Sequence, residues 1–351
     1  MKKSIYALAA SAAFTSAALA QTSSVTIYGL ADLGVDLQRG GVGGTVYKLS
    51  SGIQNGSRLG FKGTEDLGDG LAAIFVLEMG IAMDTGALNQ GGLAFGRQSY
   101  AGLTSRLGSL TLGRQYTAVN NALCGEIDPF GCGLAGHAGN LMSVGGTPTN
   151  GGNGSRTNNA VRIATTSFEG FKAEATFGFG EVGNSNHRGR TIGGSVGYGG
   201  GPLTLRVAYN SVIDPSGVNN AQVTFIGGKY DAKFATFSLG YAINKNAFSA
   251  NSNIANPDSR DHLIGVAVPV GVGTILASYV KKVDHAGSND ASQAAIGYTY
   301  ALSKRTNLYT SYGHIHNNAP NTDKAHFYTV GNAIDAGTGN SSLNLGIRHV
   351  F

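Results

Sequence analysis

Cys124 and Cys132 are the only cysteines in a chain of 351 residues, and seven residues separate them. Two thiols so spaced can join in a disulfide, stay free, or contribute to a metal site. The metal option is poorly served, because His137 is the only other soft ligand nearby and structural zinc takes four. The eight histidines are scattered; only His314 and His316 stand close, bracketing Ile315. On a strand, residues two apart share a face, so both rings would point the same way and could bind a metal weakly. Loop-surface histidines are the plainer reading. No nucleophile elbow, phosphate-cradling loop or catalytic dyad stands out, and Gly-x-Gly spacings carry no information among 55 glycines. Arg58 alternates with Leu59 and Phe61, which sets its charge on the face opposite two apolar side chains.

The elements that would carry these residues begin behind an export signal. Lys2 and Lys3 precede a short apolar stretch that ends in Ala18-Leu19-Ala20, a small-x-small cleavage site. Residues 1–20 are therefore expected to be a signal peptide and 21–351 one folded domain. Export leads to an oxidising compartment, which favours a Cys124–Cys132 disulfide over two unpaired thiols. Removing the two lysines of the signal leaves 23 basic residues against 20 acidic ones, a net charge of +3. With no basic run, that excess excludes a nucleic-acid footprint. In a channel, the same excess can set ion preference if it gathers at the narrowest point.

Period-2 alternation runs through the chain. Val25, Ile27, Leu33 and Val35 share one face with Gly29, Ala31 and Leu37, and Thr26, Tyr28, Asp32 and Asp36 share the other. The last strand, 343–351, is apolar at Leu343, Leu345, Ile347 and Phe351 and mostly polar between them. Strands so patterned are greasy on one face and polar on the other. A chain that ends on one suits a closed barrel, whose last strand pairs with its first and leaves no open edge to lipid. Seven short turns, such as Ser105-Arg106-Leu107-Gly108 and Leu302-Ser303-Lys304-Arg305, alternate with eight longer polar segments near 40–46, 83–93, 117–155, 182–190, 213–221, 245–259, 284–290 and 316–340. Seven turns and eight loops join sixteen strands. The expected fold is all-β, a 16-stranded antiparallel transmembrane β-barrel, wide enough to leave an aqueous channel.

Five stretches carry a resemblance. They are Ser24–Asp32, Ser57–Gly68 (Ser-Arg-Leu-Gly-Phe-Lys-Gly-Thr-Glu-Asp-Leu-Gly), Phe95–Leu103, Thr111–Tyr116 and Gly346–Phe351. In order and spacing they resemble the Gram-negative general porin family, especially its betaproteobacterial branch, over essentially the whole chain after the signal. The resemblance implies a homotrimer of sixteen-stranded barrels in the outer membrane, each with a long third loop folded into the pore. It also implies passive diffusion of small hydrophilic solutes and ions. Resembling proteins face a wall of arginines with acids on loop three. Here the arginines are Arg58, Arg97 and Arg156, and the acids are Glu126 and Asp128, ahead of Pro129-Phe130-Gly131. Relatives read Pro-Glu-Phe-Gly where this chain reads Asp-Pro-Phe-Gly, so which acid faces the lumen stays open. Arg162 and Arg206 are further lumen candidates. Arg114 matches an arginine that receives the neighbouring subunit's second loop, where Asp84 could supply the acid; a wall arginine with local partners is the alternative. Phe351 matches the terminal aromatic read by the barrel-insertion machinery.

Three arginines against two acids, on a basic chain, lean toward anions. A solute-specific channel of the same fold is the nearest competing expectation. A barrel lipase would need an outward Ser/His pair, which is not found, and an adhesin would need larger extracellular loops.

Overall fold

The computed structural model describes residues 23–146, 154–247, 258–285, 289–318 and 328–351. The expected signal, 1–20, lies outside them. Alternating residues build β1 (Ser23–Gly41), β2 (Gly44–Ser51), β3 (Arg58–Gly68), β4 (Leu71–Ala82) and the two-residue β5 (Ala87–Leu88). There follow β6 (Gln98–Thr104), β7 (Gly108–Tyr116), β8 (Arg156–Thr165), β9 (Phe171–Gly178), β10 (Thr191–Gly200), β11 (Leu203–Ile213) and β12 (Asn220–Asp231). The last are β13 (Thr236–Lys245), β14 (Asp258–Val270), β15 (Gly273–Asp284), β16 (Ala291–Ala301), β17 (Thr306–Asn317) and β18 (Ser341–Val350).

All pairings are antiparallel, and the sheet closes where Leu30 faces Val350 and Arg39 faces Ser341. Gly29 and Phe351 complete the seam with two backbone hydrogen bonds, 2.9 and 3.1 Å. The Phe351 ring lies on Gly29, where a Cβ would come within 2.2 Å of the ring. β1 is long enough to serve two neighbours: Leu33–Gln38 pair with β2 and Ser23–Leu30 with β3. β2 and β3 therefore make one stave, interrupted by residues 52–57, and β5 is a short addition to β4. The described residues thus form sixteen staves, as expected.

The outer face bears Val25, Ile27, Val35, Leu345 and Ile347, all exposed. The inner face departs from the expected polar character. Over β11–β17 it carries Val223, Phe225, Leu263, Leu276, Val280 and Ile315, all buried. Loop three is the cause. It opens with α1 (Ala118–Ala122), a wider helical turn at Leu123–Ile127 and a single turn at Ala138–Asn140. Its Val119, Leu123, Ile127, Leu141 and Met142 pack into one apolar cluster with Val223, Phe225, Leu263, Val280 and Ile315, and its Phe130 and Leu134 into a second with Leu276. Each such side chain removed from water contributes about 1.5–3 kcal/mol. Polar anchors fix the direction of the loop. Ser311 Oγ accepts from Ala135 N at 2.9 Å, Asn140 Nδ2 donates to Gln293 Oε1 at 2.8 Å, and Lys282 Nζ donates to Leu141 O at 2.8 Å. Lys282 is fully buried and is neutralised by Asp261, whose two carboxylate oxygens each lie 3.1 Å away.

Candidate functional site

With β11–β17 covered, the free lumen lies between loop three and the wall of β3–β10. Arg58 starts β3, Arg97 immediately precedes β6, and Arg156 starts β8. The structure brings these three together. Arg97 is buried; its Nε donates to Glu78 Oε1 at 2.7 Å, and its Nη2 donates to Tyr116 Oη at 2.7 Å. Arg156 donates from Nη2 to the same hydroxyl at 2.8 Å and from Nε to the Arg97 carbonyl at 2.8 Å. Its guanidinium stacks over the Tyr116 ring, 4.5 Å from the centroid. Arg58 donates to Gly56 O at 2.9 Å and reaches Glu78 Oε2 only at 3.9 Å. Tyr28 donates to that same oxygen at 3.0 Å. Arg97 and Arg58 meet the one carboxylate and Arg156 meets none, so of three positive charges two are left uncompensated.

A chamber of about 670 Å³ is bordered by Arg58, Arg97, Arg156 and Tyr116 on the wall side and by Asn121 and Cys132 on the loop. No carboxylate lines it among the described residues. Tyr116 and Asn121 also border a second chamber of about 400 Å³, where Arg162, Lys172 and Arg206 stand with Glu126 and Glu174. Glu126 accepts from Lys172 Nζ at 2.8 Å and pairs with Arg206 Nη2 at 2.7 Å. Arg162 is ion-paired with Glu174. The two candidate acids therefore occupy different settings. Glu126 faces basic side chains in the second chamber. Asp128 is turned into the loop, accepting the backbone N–H groups of Phe130, Cys132 and Ala138 at 3.1, 2.8 and 3.2 Å. Burial pushes its carboxyl up to about 6 despite those donors. Burial likewise lowers His137 to about 4, and its Nδ1 accepts from Gly139 N at 2.7 Å.

Cys124 and Cys132 are disulfide-bonded, their Cα atoms 4.9 Å apart, and both border the larger chamber. Arg114 donates to Gly96 O at 2.8 Å and also binds Asn158, while Asp84 stands exposed in the turn between β4 and β5. Phe351 is 51% exposed at the seam.

Two contributors are absent from the sequence-based expectation. Residues 52–57 bend inward because Asp32 accepts the N–H groups of Gln54 and Asn55 at 2.9 and 2.6 Å, and Tyr309 donates to the same carboxylate at 2.5 Å. The carbonyl of buried Ile53 then accepts from Leu134 N of loop three at 2.7 Å. Gly56 lets Arg97 approach, since a Cβ there would lie 2.7 Å from Nη1. Loop eight adds Ala333 and Ile334 to the chamber wall. Asn55-Gly56 was a visible turn signal, but nothing in the sequence marked it as an inward turn.

A family model described as Gram-negative porin matches residues 7–320. An outer membrane porin protein of Bordetella pertussis is 31% identical over 411 aligned residues that span all of both chains. Outer membrane porin protein 32 of Delftia acidovorans is 32% identical, again over all of both. The solved structure of the anion-selective porin from Comamonas acidovorans superposes with a TM-score of 0.76 at 31% identity, covering 94% of this chain and 100% of that one. OmpT of Vibrio cholerae in its trimer form shares the fold at 16% identity and a TM-score of 0.66. A family whose members are channels rather than enzymes, a closed sixteen-stave barrel and a charged lumen agree: the chain belongs to the Gram-negative porin family of outer-membrane proteins.

Proposed function

We propose that this porin is a trimeric diffusion channel for small hydrophilic solutes that prefers anions, with its constriction between Arg58, Arg97 and Arg156 and loop three. The observation that carries the reading is the charge imbalance of the larger chamber. Four guanidiniums, those of Arg58, Arg97, Arg114 and Arg156, line it, no described carboxylate does, and only Glu78 behind Arg58 and Arg97 offers compensation. The anion-selective relative at 31% identity supports the same sign. A low-dielectric wall focuses the field of such a cluster and raises the local anion concentration. Apolar solutes are disfavoured because they would displace water from the guanidiniums. Within this reading Glu126 tempers the charge of the second chamber, whereas Asp128 shapes the loop.

The disulfide holds the loop face of the chamber in one conformation. Arg114 and Asp84 serve the contact between subunits, and Phe351 addresses the chain to the insertion machinery. A solute-specific channel is the second reading; the two basic chambers in series, meeting at Tyr116, favour it for a multiply charged anion. Single-channel current across a planar bilayer with a salt gradient tests the proposal. Ohmic steps in triplets with a reversal potential of anionic sign are expected. A cationic sign, or no conductance from a folded barrel, overturns it. Saturable block by one class of anion moves the reading to the specific channel.

A further inference from the structure

The inward turn at 52–57 carries a chemically reactive pair. Asn55-Gly56 is the one Asn-Gly step whose two residues both lie among the described ones. In such a step the backbone nitrogen of the glycine can attack the side-chain amide carbon of the asparagine. Glycine favours the attack, because it has no Cβ to hinder the close approach.

The turn leaves the reacting groups free and sets them beside positive charge. Asp32 holds the chain just before them, accepting from Gln54 N at 2.9 Å and from Asn55 N at 2.6 Å. Among the described residues, neither the Asn55 side-chain amide nor the Gly56 N–H makes a hydrogen bond, so neither is tied up before reaction. Asn55 is half-buried and borders the larger chamber, so water reaches it from the pore. Arg97 stands over the pair: a Cβ on Gly56 would lie 2.7 Å from its Nη1. Arg58 Nε donates to Gly56 O at 2.9 Å. Positive charge beside a peptide nitrogen favours loss of its proton and stabilises the oxyanion that forms at the attacked carbon.

We infer that Asn55 is a site of spontaneous deamidation, and that the reaction places a carboxylate in the arginine chamber. Gly56 N gives up its proton and bonds to Asn55 Cγ. The Cγ–Nδ2 bond breaks and ammonia leaves with that proton, closing a succinimide ring. Water then adds to one of the two ring carbonyls and opens the ring, giving aspartate or isoaspartate at 55. No oxidant, reductant or enzyme takes part, and either product carries a negative charge. Arg58, Arg97, Arg114 and Arg156 border the same chamber, and no described carboxylate does. The new charge therefore cancels one uncompensated positive charge. This effect on permeation rests on the chamber being the constriction; the modification does not. A channel would start with a strong anion preference and lose it with age. One carboxylate set against one guanidinium should lower the anion-to-cation permeability ratio about tenfold in about 0.1 M salt.

The test ages the full folded barrel in mildly alkaline buffer. Peptide mapping that separates asparagine, aspartate and isoaspartate follows residue 55, and reversal potentials are recorded from the same samples. Conversion at 55 is expected, with the potential of aged channels moving to that of fresh N55D. N55Q, whose longer side chain must close a larger ring, should keep its own starting potential over the same period. Should N55D not assemble, aged wild type, folded before it reacts, supplies the same carboxylate. The inference is overturned if Asn55 stays an amide while the unfolded chain converts, or if N55Q drifts as wild type does. A fresh N55D channel with the wild-type potential also overturns it, in one of two ways. If Arg156→Gln is silent too, the chamber is not the constriction; if Arg156→Gln shifts the potential, residue 55 lies out of the ion path.

Discussion

Arg156→Gln isolates one uncompensated charge at the constriction. The wild-type guanidinium donates only to neutral acceptors: the Arg97 carbonyl, the Ser155 hydroxyl and the Tyr116 hydroxyl. No carboxylate loses a partner when it goes, so the perturbation is close to purely electrostatic. A unit charge acts on an ion about 4 Å away with about 1 kcal/mol in water. At 0.1 M salt, a Debye length of about 10 Å leaves about 0.7 kcal/mol of that. The same energy attracts an anion and repels a cation, so removing it lowers the anion-to-cation permeability ratio about tenfold. At 1 M, where the Debye length is about 3 Å, about 0.3 kcal/mol survives and the change falls to between two- and threefold. The assay is the reversal potential of single channels across salt gradients centred on those two concentrations. Arg188→Gln, on an exposed loop, serves as the control and should leave the potential unchanged. An Arg156→Gln channel with wild-type reversal potential at low salt would refute the assignment of selectivity to this cluster. A shift of equal size at both salt concentrations would refute its electrostatic origin.

Four further outcomes are expected. Lys282→Met leaves Asp261 charged and fully buried without its partner, so thermal denaturation should show a loss of about 3–5 kcal/mol, largely recovered in D261L/K282M; equal melting of wild type and single variant would contradict the anchor. Cys124→Ser with Cys132→Ser should cost about 2 kcal/mol through a freer loop in the unfolded chain, seen in the same melts, with the barrel still heat-modifiable on gels. Between about pH 4 and 6, Asp128, raised to about 6, loses its contribution as pH rises, while His137, lowered to about 4, gains, so the two groups oppose each other. His137→Asn removes the gain, so its melting temperature should fall from pH 4 to pH 6, and a rise would show that the carboxyl is not raised. Deleting Phe351 removes the backbone pairing to Gly29 and should reduce assembled barrel in membranes while leaving the conductance of the barrels that form unchanged; normal assembly would separate the terminal aromatic from insertion.

Much of the barrel was legible because strand periodicity is a local property. Val25, Ile27 and Val35 against Asp32 and Asp36 sort to two faces without reference to any other strand. The seam was legible because residues 343–351 alternate as a lipid-facing strand does, and the edge of such a strand must be paired. Alternation cannot say what lies opposite an apolar inward residue. Phe225, Leu263 and Val280 occupy the lumen parity of their strands, and only the packed loop explains why they are not polar. Glu126 and Asp128 could not be ranked for a related reason. They lie outside any strand, where parity has no meaning, and the helical turn that ends at Ile127 points one toward Lys172 and Arg206 and the other into the loop backbone. The inward turn at 52–57 depends on Asp32 and Tyr309, which stand 277 residues apart in the chain.

The two halves of the inner wall divide the labour of the pore. One half is apolar and is covered by loop three, with Lys282, Ser311 and Gln293 fixing where the loop lies. The other half stays open and carries the basic side chains. The arginines at the constriction lie at strand ends held by barrel register, with Tyr116 tying Arg97 to Arg156 and Glu78 tying Arg97 to Arg58. The loop contributes a nearly uncharged surface to the larger chamber, since its one acid nearby, Asp128, is buried in its own backbone. On the proposed reading, selectivity resides in the rigid wall and pore width in the anchored loop. Substitutions on the loop's anchoring face should change conductance with little change in ion preference, and substitutions in the arginine cluster should do the reverse. A single change that moved both together would mean that the loop, and not the wall, sets the field.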